Sequence, residues 1–60
     1  MTVFVVYRDR QGGCRWQLRS ADGKALAEST GPGYASEQKC RAAVERVRQG
    51  FAAALVTVIR

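Results

Sequence analysis

The spacing of apolar and polar positions changes twice along the chain. VFVVYR at residues 3–8 is a run of β-branched and aromatic residues, and it stops at DRQGG, where Asp9, Gly12 and Gly13 supply turn chemistry. CRWQLR at 14–19 then alternates with a period of two: Cys14, Trp16 and Leu18 point one way, and Arg15, Gln17 and Arg19 the other. Asp22-Gly23 in SADGK favours the positive backbone angles of a tight hairpin turn, and a weaker strand follows from about Ala25 to Ser29. After TGPGY the period becomes helical. Ser36 is the expected N-cap, Cys40, Ala43, Val44 and Val47 share a face, and Glu37 stands four residues before Arg41 in the supporting orientation. Gly50 offers a left-handed stop, so a helix is predicted over 37–49.

The last segment, ALVTVI, reads as a fourth strand with apolar residues on both faces: Val56 and Val58 on one, Leu55 and Ile59 on the other. Left bare, such a run is an aggregation template. Burying those four side chains is worth roughly 6 to 12 kcal/mol as an upper estimate. That approaches the whole stability of a typical domain, about 5 to 15 kcal/mol. One helix covers only one side of a four-stranded sheet, so the second side of this strand asks for a partner. The predicted core is Phe4, Val6, Trp16, Leu18, Leu26, Cys40, Val44 and Val47, with Phe4 and Val6 chosen over Val3, Val5 and Tyr7.

Length sharpens the same demand. Sixty residues make one domain, 1–60, and chains this short usually lean on disulfides, a metal or self-association. Two cysteines without CxxC spacing, and no histidine, speak against the first two supports, so self-association remains. MTVFVVYR is too brief an apolar run for a secretory signal and has no basic region ahead of it. FAAALVTVI is about half of a bilayer-crossing helix. A soluble cytoplasmic protein with reduced thiols is expected, with no membrane, no metal, no cofactor and no identifiable small-molecule ligand.

A succession of motifs resembles a known family. F-x-x-Y-x-D at Phe4, Tyr7 and Asp9, G-x-x-R-W-x-L from Gly12 to Leu18, A-D-G at 21–23, G-Y-x-S at 33–36 and the helical Cys40 together look like the YegP-like family of small bacterial and archaeal proteins, a domain of unknown function. The resemblance covers nearly the whole chain. It implies an α+β fold built of β-β-β-α-β units used in pairs, as tandem repeats or as two subunits, which share one antiparallel sheet and exchange their C-terminal strands. With one unit, this chain resembles the homodimeric form, and Leu55, Val56, Val58 and Ile59 are then the expected dimer interface. Pro32 stands where the family usually has a polar or acidic residue, and Val5 where it commonly has a charged one. The family offers no established catalytic or binding residues to carry over.

Charge adds a second line of function. Ten basic residues against five acidic ones give +5, and an acidic partner such as nucleic acid is one reading of that balance; an arginine- and alanine-rich composition is the other. Arg15, Gln17 and Arg19, with Arg8 or Tyr7 from the neighbouring strand, form a candidate nucleic-acid surface, since guanidinium forks hold phosphates and aromatics stack on bases. Trp16 shares its face with Cys14 and Leu18, so it is expected inside, where it cannot stack. Pairing two subunits would double the charge and the number of phosphates neutralised. GPGYAS resembles an anion nest but matches neither phosphate-loop nor dinucleotide spacing, and a turn plus N-cap explains it.

Catalysis has little support. There is no histidine base; Asp9 and Asp22 lie in turns, Glu28 on a weak strand, and Glu37 and Glu45 serve helix electrostatics. Cys40, near the helix start, is the remaining candidate, because the helix dipole favours a thiolate there, whereas an internal thiol is ordinarily inert packing. A non-enzymatic homodimeric module is the leading expectation, with low-specificity nucleic-acid binding as the alternative.

Overall fold

The computed structural model describes residues 1–59. Strands β1 (Val3–Arg8), β2 (Cys14–Arg19) and β3 (Ala25–Glu28) are followed by helix α1 (Glu37–Gly50). The strands form an antiparallel meander in the order β1-β2-β3, and α1 crosses one face, packing on β1 and β2.

Local chemistry sets both hairpins. Gly12 and Gly23 adopt φ of 85° and 87°, a backbone region that glycine enters without steric cost, so each turn closes where the glycine stands. In the second turn the Ser20 N–H donates to the Lys24 carbonyl at 2.9 Å and Asp22 Oδ1 accepts from the Lys24 N–H at 3.2 Å. The Ser20 hydroxyl also donates to the Asp22 carboxylate, and these bonds hold that carboxyl below its ordinary range.

The β1–β2 register, Phe4↔Leu18, Val6↔Trp16 and Arg8↔Cys14, puts the alternate residues of both strands on the helix side. Cys14, Trp16, Leu18, Cys40 and Val44 are buried, and Phe4, Val6, Ala27, Tyr34 and Val47 pack against the cluster around Trp16. Phe4 meets the Trp16 ring edge-on, with centroids 5.7 Å apart and planes at 68°. Of the two sides of β1, the Phe4–Val6 side is thus the inner one, as expected from the sequence.

Leu26 is not in the core. It is 60% exposed, and Ala27 takes the inward place. Ala27 lies opposite the buried Leu18, and the register slips between Leu18 and Arg19, which pairs with Ala25. In a strand only four residues long, that register decides which alternate side chain faces the helix.

Helix α1 begins as its sequence requires: the Ser36 hydroxyl accepts the Lys39 N–H at 3.2 Å. Its end differs from expectation. Gly50 is the last helical residue rather than a left-handed stop, and the cap is Phe51 at φ −57°, ψ −52°, whose N–H donates to the Arg48 carbonyl. Phe51 stacks at a tilt on Phe4, centroids 6.0 Å apart, and this contact draws the chain past the glycine in right-handed form.

Among the described residues of the single chain there is no fourth strand. Beyond the turn at 51–53, residues 54–59 have no regular structure and pair with no strand among the described residues. Val56 is 94% exposed, and Leu55 and Ile59 are each 91% exposed. A strand needs an edge to bond to, and the path of the chain after α1 does not bring this segment back along its own sheet.

Candidate functional site

Two surfaces carry chemistry: the face of the sheet away from the helix, and the groove between β1 and α1. On the first, the register aligns Tyr7 with Arg15, Val5 with Gln17 and Val3 with Arg19. Arg8 pairs with Cys14 and so belongs to the opposite alternation; its guanidinium donates to the Gly12 carbonyl at 2.7 Å. The structure thus brings Arg15, Gln17 and Arg19 together with Tyr7, and sets Arg8 apart. Trp16 is buried, as its face predicts.

The polar side chains of this face are bound to one another. Arg15 Nε donates to Asp9 Oδ2 at 2.7 Å. Asp9 Oδ1 in turn accepts the Gln11 and Gly13 N–H groups, each at 2.9 Å. The Arg15 bond first, and the backbone donors after it, hold the Asp9 carboxyl below its usual range, and the same bond raises Arg15. Arg19 Nε donates to Gln17 Oε1 at 2.6 Å, and Gln17 Nε2 to Glu28 Oε1 at 3.2 Å. Two separate sets of bonds, Arg15 with Asp9 and Arg19 with Gln17 and Glu28, therefore occupy this face, and the forks that would clamp a phosphate are partly spoken for.

Asp9 does more than neutralise Arg15. It ties the first hairpin beside Gly13, and Gly13 touches a loop that is distant in sequence. Cys14 and Tyr34 exchange backbone hydrogen bonds, N–H to carbonyl, at 3.0 and 2.7 Å. Trp16 and Ser29 are joined twice as well: the Trp16 N–H donates to the Ser29 hydroxyl at 3.1 Å, and the Ser29 N–H to the Trp16 carbonyl at 3.0 Å. The connection from β3 to α1 is thereby zipped along β2, which has neighbours on both sides. Sequence reasoning missed this zipper; its one trace was the presence of paired glycines in both loops, GG and GPG.

The second surface is a groove of about 730 Å³ between β1 and α1. Its apolar lining is Val3, Phe4, Val6 and Val44, and its rim is Glu37, Arg41, Glu45 and Arg48. The rim charges are paired along the helix, Arg41 with Glu37 at 3.6 Å and Arg48 with Glu45 at 3.2 Å. β1 is an outer strand, so one edge of its backbone faces this side without a neighbouring strand.

The two thiols belong to the interior. Cys14 and Cys40 are free and buried. Burial chiefly, then the nearby Cys14 and Glu37, pushes the Cys40 thiol up, so desolvation overrides the helix-start field that favours a thiolate. Among the described residues, no group of histidine, cysteine, aspartate or glutamate is arranged to hold a metal ion, and no helix is long and apolar enough to cross a membrane.

Fold and surfaces together define a small α+β domain, one helix on an antiparallel meander, of the kind the YegP-like resemblance implies. The chain belongs to the DUF1508 family, described as a domain of unknown function, whose profile matches residues 9–56. It is similar to the UPF0339 protein NMB1088 of Neisseria meningitidis serogroup B, with 38% identity over 50 residues, covering 83% of this chain and 86% of the relative. The UPF0339 protein NMA1193/NMA1859 of N. meningitidis serogroup A matches to the same extent, 38% over 50 residues with the same coverage.

Proposed function

We propose that this protein is a non-enzymatic homodimeric module in which residues 54–59 of each copy lie along the other copy's β1, in the groove against α1. The observation that carries this reading is the coexistence of an unpaired apolar tail, with Val56 94% exposed, and an unpaired strand edge beside an apolar groove. The dimensions suit each other. β1 has six residues, and an extended stretch of similar length, at about 3.3 Å per residue, spans it. Strand addition of this kind draws affinity from main-chain hydrogen bonds and selectivity from alternate side chains.

The two-sided apolar character of the tail fits the same position. One set of side chains, Val56 and Val58 or Leu55 and Ile59, faces the groove lining of Val3, Phe4, Val6 and Val44. The other set extends the open sheet face beside Val5 and Tyr7. Burying Leu55, Val56, Val58 and Ile59 contributes at most roughly 6 to 12 kcal/mol per tail before the cost of ordering it, which makes the pairing part of folding rather than an addition to it.

A module without chemistry of its own is supported by how its reactive groups are used. Asp9, Glu37 and Glu45 are in ion pairs, Asp22 closes a turn, Glu28 is bound by Gln17, and both thiols are interior. A reducing, cytoplasmic setting suits such thiols. Light scattering combined with sedimentation tests the reading: a particle of twice 6.6 kDa is expected, with slow amide exchange across 54–59, and a folded particle of single-chain mass would sink it.

A further inference from the structure

The cations of this chain are not equivalent. Arg15, Arg41 and Arg48 are paired with Asp9, Glu37 and Glu45. Arg8 and Arg19 are bound to neutral oxygens, of Gly12 and Gln17. Among the described residues, Arg10, Lys24, Lys39 and Arg46 have no side-chain partner. Arg10 and Lys24 lie in or beside the two separate hairpin turns. Lys39 and Arg46 are seven residues apart on α1, and so on one line of its surface, about 10 Å along the axis.

Those two residues are brought together with an aromatic. Tyr34, Lys39, Ala42, Ala43 and Arg46 line a shallow depression of about 320 Å³ on the flank of α1 away from the β1 groove. Ala42 and Ala43 make a flat floor between the cations. Tyr34 stands at one side, its backbone bonded twice to Cys14 and its side chain packed against the core cluster, so the ring that lines the depression is held by the fold. A positioned aromatic beside cations on a low floor is the combination that holds single-stranded nucleic acid, in which phosphates are neutralised and a base lies against a ring.

We infer that this flank of α1 is a binding surface for single-stranded nucleic acid, with phosphates at Lys39 and Arg46 and one base on the Tyr34 ring over Ala42 and Ala43. The axial offset of the two helix positions, about 10 Å, matches the length of about three phosphates on one stacked strand, so the pair brackets a short segment rather than one phosphate. The surface differs from the arginine-bearing sheet face, where the guanidiniums are bound internally. It lies wholly within one copy, so it stands whether or not the tails are exchanged. Recognition here is of charge and stacking, and therefore of low sequence preference.

The test is a titration of the full, isotopically labelled chain with a single-stranded hexamer of deoxythymidine, followed by NMR at several salt concentrations. Shifts are expected at Tyr34, Lys39, Ala42, Ala43 and Arg46, with a log–log salt slope of about −1.4, or −0.7 per phosphate. Lys39→Gln or Arg46→Gln halves that slope while Arg10→Gln leaves it unchanged. Tyr34→Leu weakens binding roughly 5- to 150-fold, the range for loss of one stacked base, and Tyr34→Phe restores it. Circular dichroism of each variant separates lost binding from lost fold. No shifts at low salt, shifts confined to Arg15 and Arg19, or equal binding of poly-glutamate with no dependence on Tyr34 would each overturn the assignment.

Discussion

Gly13 and Gly33 meet back to back: a Cβ placed on Gly33 would stand 2.6 Å from the Gly13 Cα, and one on Gly13 would stand 2.8 Å from the Gly33 Cα. Neither has a positive φ, so each is glycine for want of space rather than for backbone freedom. The contact lets the Cys14–Tyr34 bridge form and presses the connection to α1 against β2.

Gly13→Ala and Gly33→Ala are therefore each expected to destabilise the fold by about 1 to 3 kcal/mol, the usual cost of forcing atoms into a packed contact. Gly50, with open space around it, should accept alanine with no loss. Urea midpoints of the three variants check this. Equal midpoints for all three would show that the loops separate freely.

Acid should release the first hairpin. The native Asp9 carboxyl lies below its ordinary value of 3.8, with its bond to Arg15 the largest cause. A depressed carboxylate contributes stability that is present above its unfolded value and is lost as pH falls through the native one. Wild type should thus lose melting temperature below about pH 4, and Asp9→Asn should be less stable at neutral pH with a flatter profile in that acid range. Parallel profiles for the two proteins would contradict this.

Core and surface leucines and aromatics should separate cleanly. Trp16→Ala removes the centre of the buried cluster and is expected to cost about 3 to 5 kcal/mol, while Leu26→Ser, on an exposed side chain, should stay within about 0.5 kcal/mol. Chemical denaturation of both variants decides. A large loss for Leu26→Ser would place that residue in a contact the single chain does not make.

Thiol reactivity should be low. With Cys40 buried and its thiol pushed up, labelling by a maleimide at neutral pH is expected to be slow in buffer and fast in denaturant, following global opening. Rapid labelling of native Cys40 would reopen a catalytic role for that thiol.

The tail gives the sharpest outcome. Val56→Asp should abolish the folded state rather than yield a stable single subunit, because the exchange rests on burying the apolar tail and a charge in its middle opposes that burial. A soluble, well-folded protein of single-chain mass from that variant would refute the exchange.

Sequence alone determined the elements whose causes are local. Alternation in CRWQLR, glycines at the two hairpin turns and the Ser36 cap placed β1, β2, β3 and the start of α1, because turn conformation, side-chain period and capping act within a few residues. What tertiary structure alone decided involves partners far apart in the chain. Register against Leu18 turned Ala27 inward and Leu26 out. Phe51 on Phe4 carried α1 through Gly50, and Asp9 with Arg15 occupied a guanidinium that a linear reading left free for phosphate. The apolar pattern of ALVTVI asks for a strand, yet pattern specifies only which faces need burial. Where the hydrogen-bonding edge lies is a property of the assembled sheet, and within one copy that segment is left without one.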